Sequence, residues 1–350
     1  MRNTLLYFLA ILVIFPVTAQ QQPEWQSQYA VGLNKLAPHT YVWPYQTISD
    51  IRNGDYESSP YYMSLNGSWK FHWVKNPDNR PKDFYKPEFY TGGWADIQVP
   101  GNWERQGYGT AIYVNETYEF DDKLFHFKKN PPLVPYKENE VGSYRRTFTI
   151  PADWEDRRVV ICCEGVISFY YIWVNGHLLG YNQGSKTPAE WDITDKLKKG
   201  ENTVALEVYR WSAGSYLECQ DMWRLGGIFR DVYLYTTERE YIRDFVLKAQ
   251  PDGEMKDGFV EVLVKTNGAY EGLSLDMSVL DAAGNTVALD CQYANEDHRT
   301  MLRAIVAGAD LWSSEHPALY TLVLTLKNNG APIEYISTKF GFRKVEILDG

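Results

Sequence analysis

The chain has 350 residues, with 35 Lys and Arg against 45 Asp and Glu, a formal net charge of −10. That balance repels phosphate backbones and no basic stripe offsets it, so nucleic acid is excluded as a partner class. Aromatic residues make up 15% of the chain, including 12 Trp and 26 Tyr, a supply that fills sandwich cores and also stacks on sugar rings.

Residues 1–19 read as a signal peptide. Arg2 gives a short positive start, Leu5 to Phe15 an apolar core, and Val17-Thr18-Ala19 a small-residue cleavage site. The apolar run is shorter than the roughly 20 residues that cross a bilayer. The expectation is an exported protein, periplasmic or secreted, cut after Ala19 and free of the membrane afterwards. In residues 20–59 the stretch "NKLAPHTYVWPYQ" has two prolines and little period. These residues are expected to form an extended arm on the domain that follows.

From 60 to 238 short alternating runs recur between turn residues: "GSWKFHWV", "GSYRRTFTI", "RRVVICCEGV", "SFYYIWVNGHLLGY", "NTVALEVYRW" and "FRDVYLY". Turn-bounded alternation of this kind predicts an all-β sandwich. Asn175-Gly176 between two such runs predicts a tight hairpin. Cys162 and Cys163 are adjacent in one run, so their side chains should point to opposite faces. The four cysteines are expected to be free and mostly buried, and no C-x-x-C pair or His cluster suggests zinc. The polar "TTERE" reads as a linker. Residues 239–350 then hold a second series, from "YIRDFVLKAQ" to "LYTLVLTLKNNG", which fits an immunoglobulin-like β-sandwich.

Two segments could carry chemistry. In "YLECQDMWRLGGIFRDVYLY", Glu218 and Asp221 lie three apart between Tyr216 and Trp223. Glycoside hydrolysis needs two carboxylates across a sugar, but Arg224 and Arg230 are close enough to be structural ion-pair partners. For Asp221 the more fitting role is contact with a sugar hydroxyl or a cation, since a carboxylate accepts hydroxyl hydrogen bonds and ligates hard cations. The second segment, "GNWERQGYGTAIYVNETYEF", is a Gly-, Asn- and Tyr-rich loop suited to presenting side chains. Its Asn115 offers both a donor and an acceptor; the alternative is that it braces its own loop. The histidines are scattered and are read as structural.

At these residues the chain resembles a known family. "VPGNWERQGYGTAIYVNETYEF", "NPPLVPYKENEVGSYRRTF", "VNGHLLGYNQGSKTPAEWDIT" and "YRWSAGSYLECQDMWRLGGIFRDVYLY" resemble the sugar-binding domain of family-two glycoside hydrolases, closely the β-galactosidases. "GLNKLAPHTYVWPY" is similar to that family's N-terminal arm, and "LWSSEHPALYTLVLTL" with "FGFRKVEI" to its second domain. The resemblance implies a jelly-roll sandwich over 60–238, an immunoglobulin-like sandwich over 239–350, and a β-galactoside or oligosaccharide as the partner. It implies substrate contact for Asn115 and Asp221, with Asp221 also ligating a monovalent cation; Na and Mg are implied for the family's full-length enzyme. Cys219 stands where the family leads one to expect an acidic residue.

In that family a catalytic (β/α)₈ barrel of about 250 residues follows the segment matching Val345. This sequence stops at Gly350, so the family's two catalytic glutamates have no position in it. The chain is expected to hold no catalytic residue of its own and to be inactive alone. The other readings are a stand-alone carbohydrate-binding or scaffold module, and a fragment of a β-glucuronidase or β-mannosidase. The oligomeric state is left open.

Overall fold

A computed structural model describes residues 22–53, 56–115, 118–120 and 125–348; the signal-peptide reading of 1–19 lies outside them. Strands are the dominant regular structure of the described chain, as the alternation implies, with one short α-helix and several 3-10 turns, and they form two successive sandwiches.

The first sandwich faces a six-stranded antiparallel sheet against a four-stranded one. The larger sheet runs, in spatial order, His177–Gln183, Phe169–Val174, Glu201–Tyr209, Val141–Thr149, Gly67–Val74 and Ala95–Val99. The smaller runs Tyr62–Ser64, Val232–Thr237, Arg158–Cys163 and Ala189–Asp192. Between them lies a core that includes Trp69, Phe71, Trp103, Tyr144, Ile161, Leu206 and Trp191. Leu206 has no exposed surface, so Leu206→Ala would cost about 2–5 kcal/mol through lost burial and a cavity.

Cys163 belongs to this core, whereas Cys162 packs on the other face with Tyr233 and Tyr235. No disulfide joins the four cysteines; Cys162 and Cys163 are buried, Cys219 is half-buried and Cys291 exposed, so the expectation of mostly buried thiols holds only for the adjacent pair. The hairpin forms where expected: His177 pairs with Val174. Asn175 and Gly176 take φ of 51° and 85°, the left-handed values that a two-residue turn of this hand requires.

The second sandwich has a three-stranded sheet, Tyr241–Pro251, Gly258–Asn267 and Arg299–Val306. Against it lies a four-stranded sheet, Thr286–Tyr293, Leu273–Leu280, Tyr320–Asn328 and Ala331–Phe340. Val260, Val262 and Val264 alternate inward as a half-buried strand requires.

Two expectations need correction. The "TTERE" linker is shorter than its polarity suggests, because Thr236 and Thr237 are buried at the end of a strand and the Thr236 hydroxyl donates to Arg158 O at 2.8 Å. A threonine fits a sheet well when its hydroxyl is bonded, which polarity alone does not reveal. The arm lies on both sandwiches: Leu36 N–H donates to Glu190 O at 2.8 Å in the first, and Tyr45 N–H to Tyr335 O at 2.8 Å in the second.

Candidate functional site

The two segments singled out in the sequence pair with each other. Ile112–Val114 and Met222–Arg224 form a two-stranded antiparallel ribbon in which Val114 faces Met222 and Tyr113 faces Trp223. Asn115 and Asp221 lie one residue beyond the paired positions of their strands, at the same end of the ribbon. Tyr113 and Trp223, opposite one another in the register, share one face of the ribbon. All four are exposed, Tyr113 at 51% and Trp223 at 59%. The rings of Tyr113 and Trp223 lie 5.7 Å apart, tilted by 60°. Tyr113 donates its hydroxyl to Asp221 Oδ1 at 2.5 Å, and this bond pushes the phenol pKa up.

Asp221 is not the partner of either arginine. Arg224 is buried and points the other way, into its own turn, donating to the carbonyls of Glu218 (3.2 Å), Gln220 and Val114 (3.5 Å). Arg230 donates to Lys186 O at 3.3 Å and lies over the Phe229 ring. Glu218 is also engaged structurally: its carboxylate accepts from the Ser185 backbone N–H at 2.7 Å and the Ser185 hydroxyl at 2.5 Å. The structure pairs the strands that adjoin Asn115 and Asp221 and leaves Glu218 as a brace for the neighbouring loop.

Beneath the ribbon lies a charge cluster that the sequence reading missed. Arg210 is 3% exposed and faces Glu140, Glu119 and Glu104 at 2.9, 3.4 and 3.7 Å. Its guanidinium also donates to Thr110 O at 2.9 Å and Arg224 O at 3.3 Å, the carbonyls that flank the two ribbon strands. Burial pushes the Glu104 carboxyl up to about 7, opposed by Arg210 and by the single Gly226 N–H, which is shared between Oε1 and Oε2 at 2.9 and 3.0 Å. Burial raises Glu119 as well, and Arg210 opposes it.

The Gly-Gly pair in the sequence belongs to this support. A Cβ on Gly226 would sit 2.3 Å from the Trp103 ring, and Gly227 has φ of +105°, a conformation that favours glycine. The one available signal for the cluster was an arginine ending an apolar strand in "VALEVYRW"; its carboxylates come from distant segments that no local pattern links.

This arrangement can accept and donate hydrogen bonds to a polyol and pack an aromatic edge against it, but it forms only one wall. As a cation site it supplies one carboxylate, and no group of three or more His, Cys, Asp or Glu suited to a metal occurs among the described residues. A monovalent cation held by Asp221 would therefore need its other ligands from elsewhere.

Two family models match the chain: the sugar-binding domain of glycosyl hydrolases family 2 over residues 62–238, and a further glycosyl hydrolases family 2 model over residues 240–343. A β-galactosidase of Priestia megaterium is 43% identical over 346 residues, covering 96% of this chain and 33% of that protein. A β-galactosidase of Halalkalibacterium halodurans is 39% identical over 322 residues, covering 91% and 31%. A solved β-glucuronidase of Bifidobacterium dentium, complexed with coumarin-3-O-glucuronide, superposes with a TM-score of 0.63 at 20% identity, covering 82% of this chain and 49% of that one. At that identity the likeness shows the fold alone. The chain spans about a third of the length of the two β-galactosidases.

Proposed function

Since the chain belongs to glycoside hydrolase family two, we propose that it is the N-terminal, non-catalytic part of an exported β-galactosidase-type enzyme, and that Asn115 and Asp221 serve a sugar held mainly by residues outside it. The observation that carries this reading is the exposed ribbon face. Two polar side chains and two aromatic rings are presented to solvent on a supported scaffold, yet they enclose nothing.

The residues act by positioning. Asn115 offers its amide to sugar hydroxyls as donor and acceptor, and Asp221 accepts from a hydroxyl. Tyr113 holds the Asp221 carboxylate by its hydroxyl, which fixes the rotamer before the sugar arrives. A retaining glycosidase needs two carboxylates about 5 Å apart across the scissile bond. Asp221 and its braced neighbour Glu218 do not form such a pair, so bond cleavage is assigned to groups elsewhere. A monovalent cation, when bound, would lend positive charge beside a sugar hydroxyl; Asp221 would supply one of its ligands.

The β-galactosidase relatives favour a β-galactoside over a β-glucuronide or β-mannoside. The test is hydrolysis of a chromogenic β-galactoside by this chain alone and by a longer product that continues past Gly350. Turnover is expected only from the longer product, and turnover by this chain that a substitution within it abolishes would overturn the reading. Export rests on the apolar run from Leu5 to Phe15; the product recovered outside the cytoplasm should begin at Gln20, and retention of Met1 would contradict it.

A further inference from the structure

The outer face of the six-stranded sheet is aromatic where a solvated face would be polar. In Phe169–Val174, Tyr170, Ile172 and Val174 enter the core, while Phe169 and Tyr171 pack on the other side, the side that alternation also gives to Trp173. Glu207 and Tyr209 on the adjacent strand stand opposite Tyr171 and Phe169. The arm covers part of this face, with Trp25 stacked on Tyr209 at 5.3 Å. Beyond that cover a cleft of about 420 Å³ stays open.

Its walls and floor have a defined chemistry. Tyr85 lies parallel to Trp173, with centroids 4.9 Å apart and 7° between planes. Arg80 Nε donates to Glu207 Oε1 at 3.1 Å, Glu207 being buried and Arg80 about a third exposed. Tyr171 donates to Glu24 at 2.5 Å. None of these residues belongs to the Asn115–Asp221 ribbon.

We propose that this cleft is a second carbohydrate-binding site, which takes a short stretch of a neutral oligosaccharide. A pyranose has a flat C–H face that packs on aromatic rings and a rim of hydroxyls that both donate and accept. The cleft supplies the rings, a guanidinium that only donates and carboxylates that only accept. Its volume falls within the roughly 300–1,000 Å³ of small-ligand sites. The charged residues lining it are Glu24, Asp83 and Glu207 against Arg80 and Lys82. That surplus of negative charge disfavours uronate or sulfated sugars. Arg80 Nη1 donates to Pro77 O at 2.7 Å and the Tyr209 hydroxyl to Glu207 Oε1 at 2.7 Å, so the floor is fixed before a sugar arrives.

The test is calorimetric titration of the whole chain with β-1,4-galactotetraose, cellotetraose and mannotetraose, and with digalacturonate as the anionic probe. At least one neutral tetrasaccharide should saturate, with a Kd of about 0.1–1 mM. Trp173→Ala and Arg80→Met should weaken it about tenfold or more, whereas Asn115→Ala and Asp221→Ala should leave it unchanged within about twofold. Arg80→Met, accepted only if its melt matches the parent, covers the case in which Trp173→Ala fails to fold. No saturation by any neutral tetrasaccharide at about 10 mM, tighter binding of digalacturonate, or loss of binding in Asp221→Ala with retention in Arg80→Met would each overturn the proposal.

Discussion

Replacing Arg210 with Met removes a buried guanidinium that faces Glu104, Glu119 and Glu140 at 3.7, 3.4 and 2.9 Å. Methionine keeps much of the volume, so the loss is electrostatic: three carboxylates lose their counter-charge, and the Thr110 and Arg224 carbonyls lose a donor. Breaking a buried pair in this way costs about 3–5 kcal/mol. For a domain of this size each kcal/mol is worth roughly 2–4 °C in Tm, so the first domain should melt about 6–20 °C lower at pH 8. The penalty should shrink at pH 5. There Glu104, pushed up to about 7, already carries its proton, and losing Arg210 strands one fewer charge. Circular-dichroism melts of both proteins at the two pH values measure this directly. A drop under about 2 °C at pH 8, or a larger drop at pH 5 than at pH 8, would refute the account of Arg210 as the hub beneath the ribbon.

Other outcomes follow from burial. Glu104 and Glu334 have folded-state values raised from 4.5 to about 7 and about 8. Each therefore contributes stability that is fully present below pH 4.5 and lost as pH rises through its folded value. The Tm of the chain should fall between pH 5 and 8.5. Glu334→Gln, which keeps an acceptor for the Ile242 N–H at 2.7 Å, should flatten the upper part of that fall; an unchanged slope would contradict it. Exposed Cys291 should react first with a thiol reagent and half-buried Cys219 more slowly. Cys162 and Cys163 should react only on unfolding, because burial pushes Cys163 up to about 12 and Cys162 upward as well. Galactose itself should not saturate the chain in the low millimolar range by calorimetry, because an open wall cannot bury most of a small ligand.

The strands were legible wherever burial is one-sided. "GFVEVLVKT" alternates in sequence and in space, and the adjacent Cys162 and Cys163 divide between two faces as the pleat requires. Asn115 and Asp221 were singled out from the resemblance of long motifs, and the structure adds that both are exposed at one end of the ribbon their segments form. Spacing had suggested Glu218 as a companion of Asp221, but the Ser185 N–H and hydroxyl hold its carboxylate elsewhere. The Arg210 cluster was hidden because its carboxylates arrive from three loops, and sequence neighbours say nothing about which loops meet. Trp173 and Tyr171 were visible as aromatics in "SFYYIWV", but only the partial cover by the arm shows that part of their face remains open.

The central claim is that the ribbon face serves a sugar held mostly outside these residues. Its most direct measurement sets melts of Asn115→Ala and Asp221→Ala in this chain beside kcat/KM of the same variants in a longer, hydrolytically active product. Both residues are exposed, and exposed polar substitutions typically change stability by under about 0.5 kcal/mol. Tm should therefore stay within about 2 °C of the parent. In the longer product kcat/KM should fall about 10²-fold or more, as lost sugar contacts misplace the reacting bond. A Tm drop above about 5 °C for Asp221→Ala in this chain, or full activity of both variants in the longer product, would contradict the account.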